Sequence, residues 1–182
     1  MSTLIATTVQ SGTIKGADGT NTALTISNDG TILPAKVPCG LLFRNASYGG
    51  NATLNSWTKI PFDAEEFDVG SIADTSDSRF EFTTATAGIY FFSACYRINT
   101  GNTLQRLIIA IRKNGSTYLG QAEYSERSGS GTNAYPQISA NTIVSVADGD
   151  YIEAVYYITA GAGCSQDNGR SAANFFCYRI SA

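Results

Sequence analysis

Apolar side chains recur along this chain with a period of two, and in three late segments they fill both phases of that period. The segments are Gly88–Ile98, Tyr151–Ile158 and Asn174–Ile180. Alternation marks a strand with one buried face. In the first segment Tyr90, Phe92, Tyr96 and Ile98 share one face, while Ile89, Phe91 and Cys95 share the other. A two-sheet sandwich covers only the inner face of each strand. Leaving the outer set wet forgoes roughly 1.5–3 kcal/mol for each large side chain. A cover from outside the protomer is therefore expected, and a second copy of the same chain is the simplest one.

Shorter runs fill the rest of the chain. Leu41–Asn45, Trp57–Ile60, Glu66–Val69, Arg79–Thr83, Leu104–Lys113, Ser116–Leu119 and Gln137–Ala147 all read as strands, and turn signals separate them. Asn114-Gly115 and Asp148-Gly149 supply hairpin turns. No window holds a 3.6-residue period, so the pattern predicts an all-β, antiparallel sandwich. Residues 1–38 differ: they hold no aromatic residue and are rich in Thr, Gly and Asn. Short runs at Leu4–Val9, Ala23–Ser27 and Thr31–Leu33 predict an extended or β-meander N-terminal arm, closed by Pro34 and Pro38. The expected division is an arm over 1–38 and a sandwich over 39–182.

Composition narrows the function. Of 182 residues 43% are hydrophobic, enough for a real core, while only 15% are charged, so Ser, Thr, Asn and Gly must build the surface. The net charge is −3 and no basic block exists, which argues against a nucleic-acid partner. No apolar run reaches membrane-spanning length, and the start lacks the basic n-region of a secretory leader. The chain contains no His, the commonest general base near neutral pH. A glycosidase-type carboxylate pair cannot be placed, so no catalytic residues are assigned. Cys39, Cys95, Cys164 and Cys177 lack zinc-ligand spacing and read as reduced thiols, with a disulfide left open. Glu65, Glu66, Asp68, Asp74 and Asp77 read as solvated turn residues, with calcium as the sharper alternative. No cofactor is otherwise expected.

The run Arg79–Phe92 (RFEFTTATAGIYFF) resembles the G-x-F-x-x-P-x-x-G-x-Y-x-F signature of complement-component-1q-like domains, within the wider tumour-necrosis-factor-like jelly rolls. Trp57–Asp68 is similar to that family's first strands, Ile111–Gly115 to its lysine-asparagine-glycine hairpin, Asp148–Ile152 to its G-D-x-V turn, and Phe175–Tyr178 to its terminal F-S-G-F strand. The signature's proline is absent, and Cys177 replaces a glycine. The resemblance covers about residues 40–182. It implies a jelly roll assembled as a trimer through aromatic and aliphatic residues of the later strands. The opening Met1–Gln10, with Asn21–Ile26 and Asn28–Ile32, resembles the start of many tailed-phage structural proteins, marine ones especially.

Together these readings imply a non-enzymatic phage virion structural protein, made in the host cytoplasm: a fibre, appendage or capsid-decoration protein. Its arm would contact other virion proteins, and its homotrimeric head would meet a host-surface ligand such as a glycan. The alternative is a soluble lectin-like or cytokine-like module with no virion role. The expected seam draws on Ile89, Phe91, Tyr151, Val155, Tyr157, Phe176 and Tyr178, with the strand face left open. Two Gly/Ser-rich loops, 120–133 and 159–173, are candidate recognition surfaces. Trp57, Tyr118 and Tyr124 would stack on sugar rings there, with Arg127, Asp167, Asn168 and Arg170 as hydrogen-bonding partners.

Overall fold

Period-two patterning is realised throughout: every regular element among the described residues is a strand. The computed structural model describes residues 12–15, 22–26, 32–34, 37–46, 51–100, 104–125, 135–160 and 164–181. The chain divides into two units, 1–37 and 38–182. In the first, β1 (Gly12–Lys15), β2 (Thr22–Ile26) and β3 (Ile32–Pro34) form an antiparallel meander in the order β1-β2-β3. Pro34 ends β3, an edge strand of the meander, where a residue without an N–H is tolerated. The expected run Leu4–Val9 lies outside the described residues.

The second unit runs through β4 (Cys39–Phe43), β5 (Thr58–Lys59), β6 (Ala64–Val69), β7 (Ala73–Asp74), β8 (Arg79–Glu81), β9 (Gly88–Thr100), β10 (Leu104–Lys113), β11 (Thr117–Ser125), β12 (Gln137–Val146), β13 (Tyr151–Ala160), β14 (Cys164–Gln166) and β15 (Ala173–Ser181). Two antiparallel sheets result. The first has the order β11-β10-β13-β8-β7, with β5 also on β13. The second has the order β12-β9-β15-β4-β6, with β14 also on β9. Sequence-distant strands lie side by side (β4 with β15, β10 with β13), giving the crossed connections of a jelly-roll sandwich.

Alternation decides which side chains meet between the sheets. Tyr90, Phe92, Ala94, Tyr96 and Ile98 of β9 are fully buried, as are Leu107, Ile109 and Ile111 of β10 and Ile152, Ala154, Tyr156 and Ile158 of β13. Aromatic rings dominate the core. Phe80 lies 4.9 Å from Phe175, Phe82 lies 4.8 Å from Tyr90, and Tyr96 stacks on Tyr156 at 5.2 Å between the two sheets. The Tyr90 hydroxyl donates to the Thr86 carbonyl at 2.6 Å, and burial pushes this phenol up to about 12, so it stays a neutral donor.

Turn chemistry follows the residues only in part. Asn114 (φ 53°) and Gly115 (φ 72°) both enter the left-handed region, as the expected hairpin requires. At Asp148-Gly149 only the glycine does (φ 80°), and the expected hairpin does not form: β12 pairs with β9 and β13 with β10, β8 and β5, so this turn carries the chain from the second sheet to the first. Asn114 ties the two turns together: its Nδ2 donates to Asp150 at 2.8 Å, and its Oδ1 accepts from the Tyr151 amide at 2.9 Å.

The edges of the sheets also meet. The Thr142 hydroxyl donates to the Leu119 carbonyl at 3.4 Å, and Lys113 Nζ to the Ser145 carbonyl at 3.1 Å. Gly120 permits this approach, because a Cβ there would stand 2.5 Å from the Asn141 carbonyl oxygen. That contact is backbone, which cannot swing aside as a side chain would. Gly120→Ala is expected to lower stability by about 1–3 kcal/mol, the usual range for overpacking. Thermal melts of both proteins at one fixed concentration check this; an unchanged melting temperature contradicts the close approach.

Candidate functional site

Three places on the sandwich gather the side chains that sequence reasoning singled out. The largest is the outer face of the second sheet. Strand register sets rows across it: Ile143, Phe91, Tyr178, Cys39 and Val69 form one, and Asn141, Ser93, Phe176, Leu41 and Phe67 the next. Rings touch along and between these rows. Phe91 lies 5.5 Å from Tyr178, Phe176 lies 5.7 Å from Tyr178, and Phe67 lies 6.4 Å from Phe176. Phe67, Ile89, Ile143, Tyr178 and Ile180 are all exposed, Ile143 at 63%. The far end of the same face is polar, with Gln137, Ser139, Arg97 and Asn174.

The seven expected seam residues therefore fall on opposite sides of the sandwich. Ile89, Phe91, Phe176 and Tyr178 share this face. Tyr151, Val155 and Tyr157 point outward from β13 in the first sheet, beside Arg112 and Ile108. One flat seam cannot take both groups. Val155, moreover, is fully buried within the protomer. Lys59 of β5 and Ala110 of β10 flank it in register, and Trp57, just before β5, lies 5.5 Å from Tyr157 and 5.1 Å from Tyr118, spanning the β13–β10–β11 surface. Tyr151 carries the Arg79 guanidinium 4.5 Å from its ring centre.

Trp57 and Tyr118, both proposed for sugar stacking, are thus brought together, but on a sheet face and not in a loop. Tyr157, Arg106, Ile108 and Gln121 join Trp57 around a cleft of about 240 Å³. Sequence reasoning missed Arg106 and Gln121 as ligand candidates; period-two alternation places them on the same face as Ile108 and Tyr157 only once the pairing of β10, β11 and β13 is known. Arg106 donates twice to Glu123, at 2.8 Å each. Tyr124 is not part of this surface. It pairs with Leu107 on the inward phase and packs against the core.

The remaining loop candidates lie elsewhere. Asp167 is buried, accepts from Arg97 and receives the Asn168 amide at 2.8 Å, so it organises the turn before β15. Arg170 pairs with Glu66 at 2.5 Å. Nearby, Arg44 Nη1 donates to Gln166 Oε1 at 2.8 Å. Arg127 lies outside the described residues. The acidic candidates take up local partners: Asp68 accepts from the Ile72 and Ala73 amides at 3.0 Å each, Asp74 accepts from the Ser76 and Asp77 amides, and Asp77 pairs with Arg79 at 2.9 Å. Cys39 and Cys95 are half-buried, Cys164 and Cys177 are buried, and all four are free thiols. Burial pushes the Cys177 thiol well above its ordinary value.

A smaller cleft of about 150 Å³ lies between Arg79, Glu81, Phe82, Gly149, Asp150 and Tyr151. Burial pushes the Asp150 carboxyl up, but hydrogen bonds from Lys113, the Ala147 amide and Asn114 outweigh it, and the group titrates below its ordinary value. A carboxyl depressed by folding contributes stability above its unfolded value, near 4, and loses it as pH falls through the lower folded value. Acidification through that window is expected to weaken the two stitched turns, and Asp150→Asn to flatten that part of the profile. Melting temperatures measured across the acid range test this; identical slopes in both proteins contradict it.

No protein-family model matches the chain, and no curated protein matches it by sequence. Solved structures do. The globular domain of zebrafish complement 1qA superposes with a TM-score of 0.52 at 14% identity, over 80% of this chain and 98% of that one. Murine APRIL gives 0.56 at 12% identity, over 80% and 100%. The Eiger TNF from S. frugiperda gives 0.54 at 10% identity, over 81% and 94%. At such identities the likeness is one of fold: this chain has the jelly roll of complement-1q and tumour-necrosis-factor domains.

Proposed function

We propose that the chain is a non-enzymatic structural and recognition protein whose head trimerises through the outer face of the second sheet. The carrying observation is the contiguous row set Ile143, Phe91, Tyr178, Phe176, Leu41 and Phe67. Exposed apolar residues scattered singly need no explanation, but a joined patch marks an interaction surface. A second copy fits because the patch repeats identically on every protomer, and the resemblance to complement-1q-like domains implies a three-fold arrangement through these late strands. Three equivalent heads turn weak individual contacts into avidity.

The finer reading is a virion role, as fibre, appendage or capsid decoration. It is supported by the resemblance of the opening residues to tailed-phage structural proteins, and by the separation of residues 1–37 from the sandwich as a unit of its own. On this reading the arm holds the particle and the head faces outward.

Ile143→Glu places a charge where the lone protomer leaves the side chain 63% exposed, so it should barely disturb folding of the monomer. Sedimentation equilibrium at micromolar concentration is expected to give three times the 19.3 kDa chain mass for the unaltered protein and the single chain mass for the variant. An unaltered protein that sediments as a monomer removes the seam. Deleting residues 1–36 separates the virion role from a free-standing module. The truncated head should remain trimeric but fail to enter particles; normal incorporation refutes the arm's role.

A further inference from the structure

The cleft beneath Trp57 lies on the face opposite the proposed seam, and its chemistry is specific. Its floor is Ile108, almost fully buried. Its walls are the rings of Trp57 and Tyr157. Its rim is polar: Gln121 presents a carboxamide, and Arg106 is held flat by two bonds to Glu123. Glu123 Oε1 also accepts from the Ser125 hydroxyl at 2.7 Å.

We infer that this cleft is a subsite for one neutral pyranose ring. Three features converge on that class. Aromatic walls offer flat apolar surface to the C–H face of a sugar, the part that pays least to leave water. The rim offers donors and acceptors side by side, which is what vicinal hydroxyls require. The Arg106 charge is already neutralised by Glu123, so an anion gains little there and must displace a bidentate partner. The volume, about 240 Å³, is below the roughly 300 Å³ at which drug-sized pockets begin, so the cleft takes a single terminal ring and not a chain segment. The assignment rests on reading the head as a recognition module, and it names the ligand class of that module. It does not depend on the seam.

Trp57 is the only tryptophan in the chain, so its fluorescence reports on this cleft directly. The full-length protein is titrated with the methyl glycosides of glucose, galactose and mannose up to about 100 mM, because a lone sugar ring is expected to bind with a Kd near the millimolar range, about 4 kcal/mol. The expected result is saturable change with at least one glycoside. Gln121→Ala and Arg106→Ala, both at exposed positions, should raise the midpoint at least tenfold. A hexuronate should bind more weakly than the matching neutral sugar, and sorbitol, which has no ring, should leave only a linear drift. Any of four outcomes overturns the assignment: no saturation with any glycoside, an unchanged midpoint in both variants, a tighter hexuronate, or equal response to sorbitol. Sedimentation of the same samples keeps the two proposals apart. A trimer that ignores every glycoside refutes the subsite alone, and a monomer that binds one refutes the seam alone.

Discussion

The second sheet is apolar on both faces, and its inner face is the part of the molecule that everything else is built around. Tyr90, Phe92, Phe175 and Leu42 project inward from β9, β15 and β4 and are completely buried. They fix the register of the sheet, because a slip of one residue would exchange them with Phe91, Phe176 and Leu41 on the outer face. In most antiparallel sheets such a slip is forbidden by polarity, since it would bury charged groups. Here the outward residues are also large and apolar, so polarity alone discriminates weakly. Shape must do it. The interlocked rings Phe80, Phe92 and Phe175, and the gap that Gly40 leaves for Phe80, whose ring atom would stand 2.8 Å from a Cβ there, select one register.

The two sheets handle their outer faces differently, and this asymmetry organises the surface. On the first sheet the chain covers itself. Trp57 reaches across from the start of β5, Glu153 is buried between Lys59 at 3.3 Å and Arg112 at 2.7 Å, and Val155 and Ala110 disappear beneath this layer. On the second sheet no such layer is found among the described residues. A self-covered face can carry a shaped cleft with satisfied charges, because its side chains are held by one another. An uncovered apolar face is suited to a flat contact with another surface. Assembly and recognition can thus occupy opposite sides of one sandwich without competing for residues.

Much of the sandwich was legible in the sequence because its signals are local. Alternation located the strands, and Asn114-Gly115 located a hairpin, since both depend on neighbours in the chain. The face on which Phe91 or Val155 finds its cover was not legible, because that depends on pairing between strands far apart. Phe91 and Val155 look alike as outward apolar residues of long strands. Only the placement of β5 beside β13 brings Lys59 alongside Val155 and Trp57 onto the same sheet, while no such element among the described residues reaches the face of Phe91. Tyr124 was misjudged for a related reason. It follows a glycine-containing stretch that reads as a loop, whereas β11 continues to Ser125 and carries the ring inward. The short strands β7 and β14 left no pattern to read, being two and three residues long.

The polarity gradient along the second sheet's outer face bears on how copies could meet. Apolar rows cluster where β9 begins and β15 ends, while Gln137, Ser139, Arg97 and Asn174 mark the other end. A contact that buried the whole face evenly would desolvate these polar groups and the Arg97–Asp167 pair, at a cost that imperfect pairing would not recover. A contact that is tight at the apolar end and open at the polar end avoids this. Such a tapered arrangement is natural for subunits leaning together around an axis, and less so for two sheets stacked flat. Within the proposed assembly, this distribution of side chains is better matched by a closed ring of copies than by a face-to-face dimer.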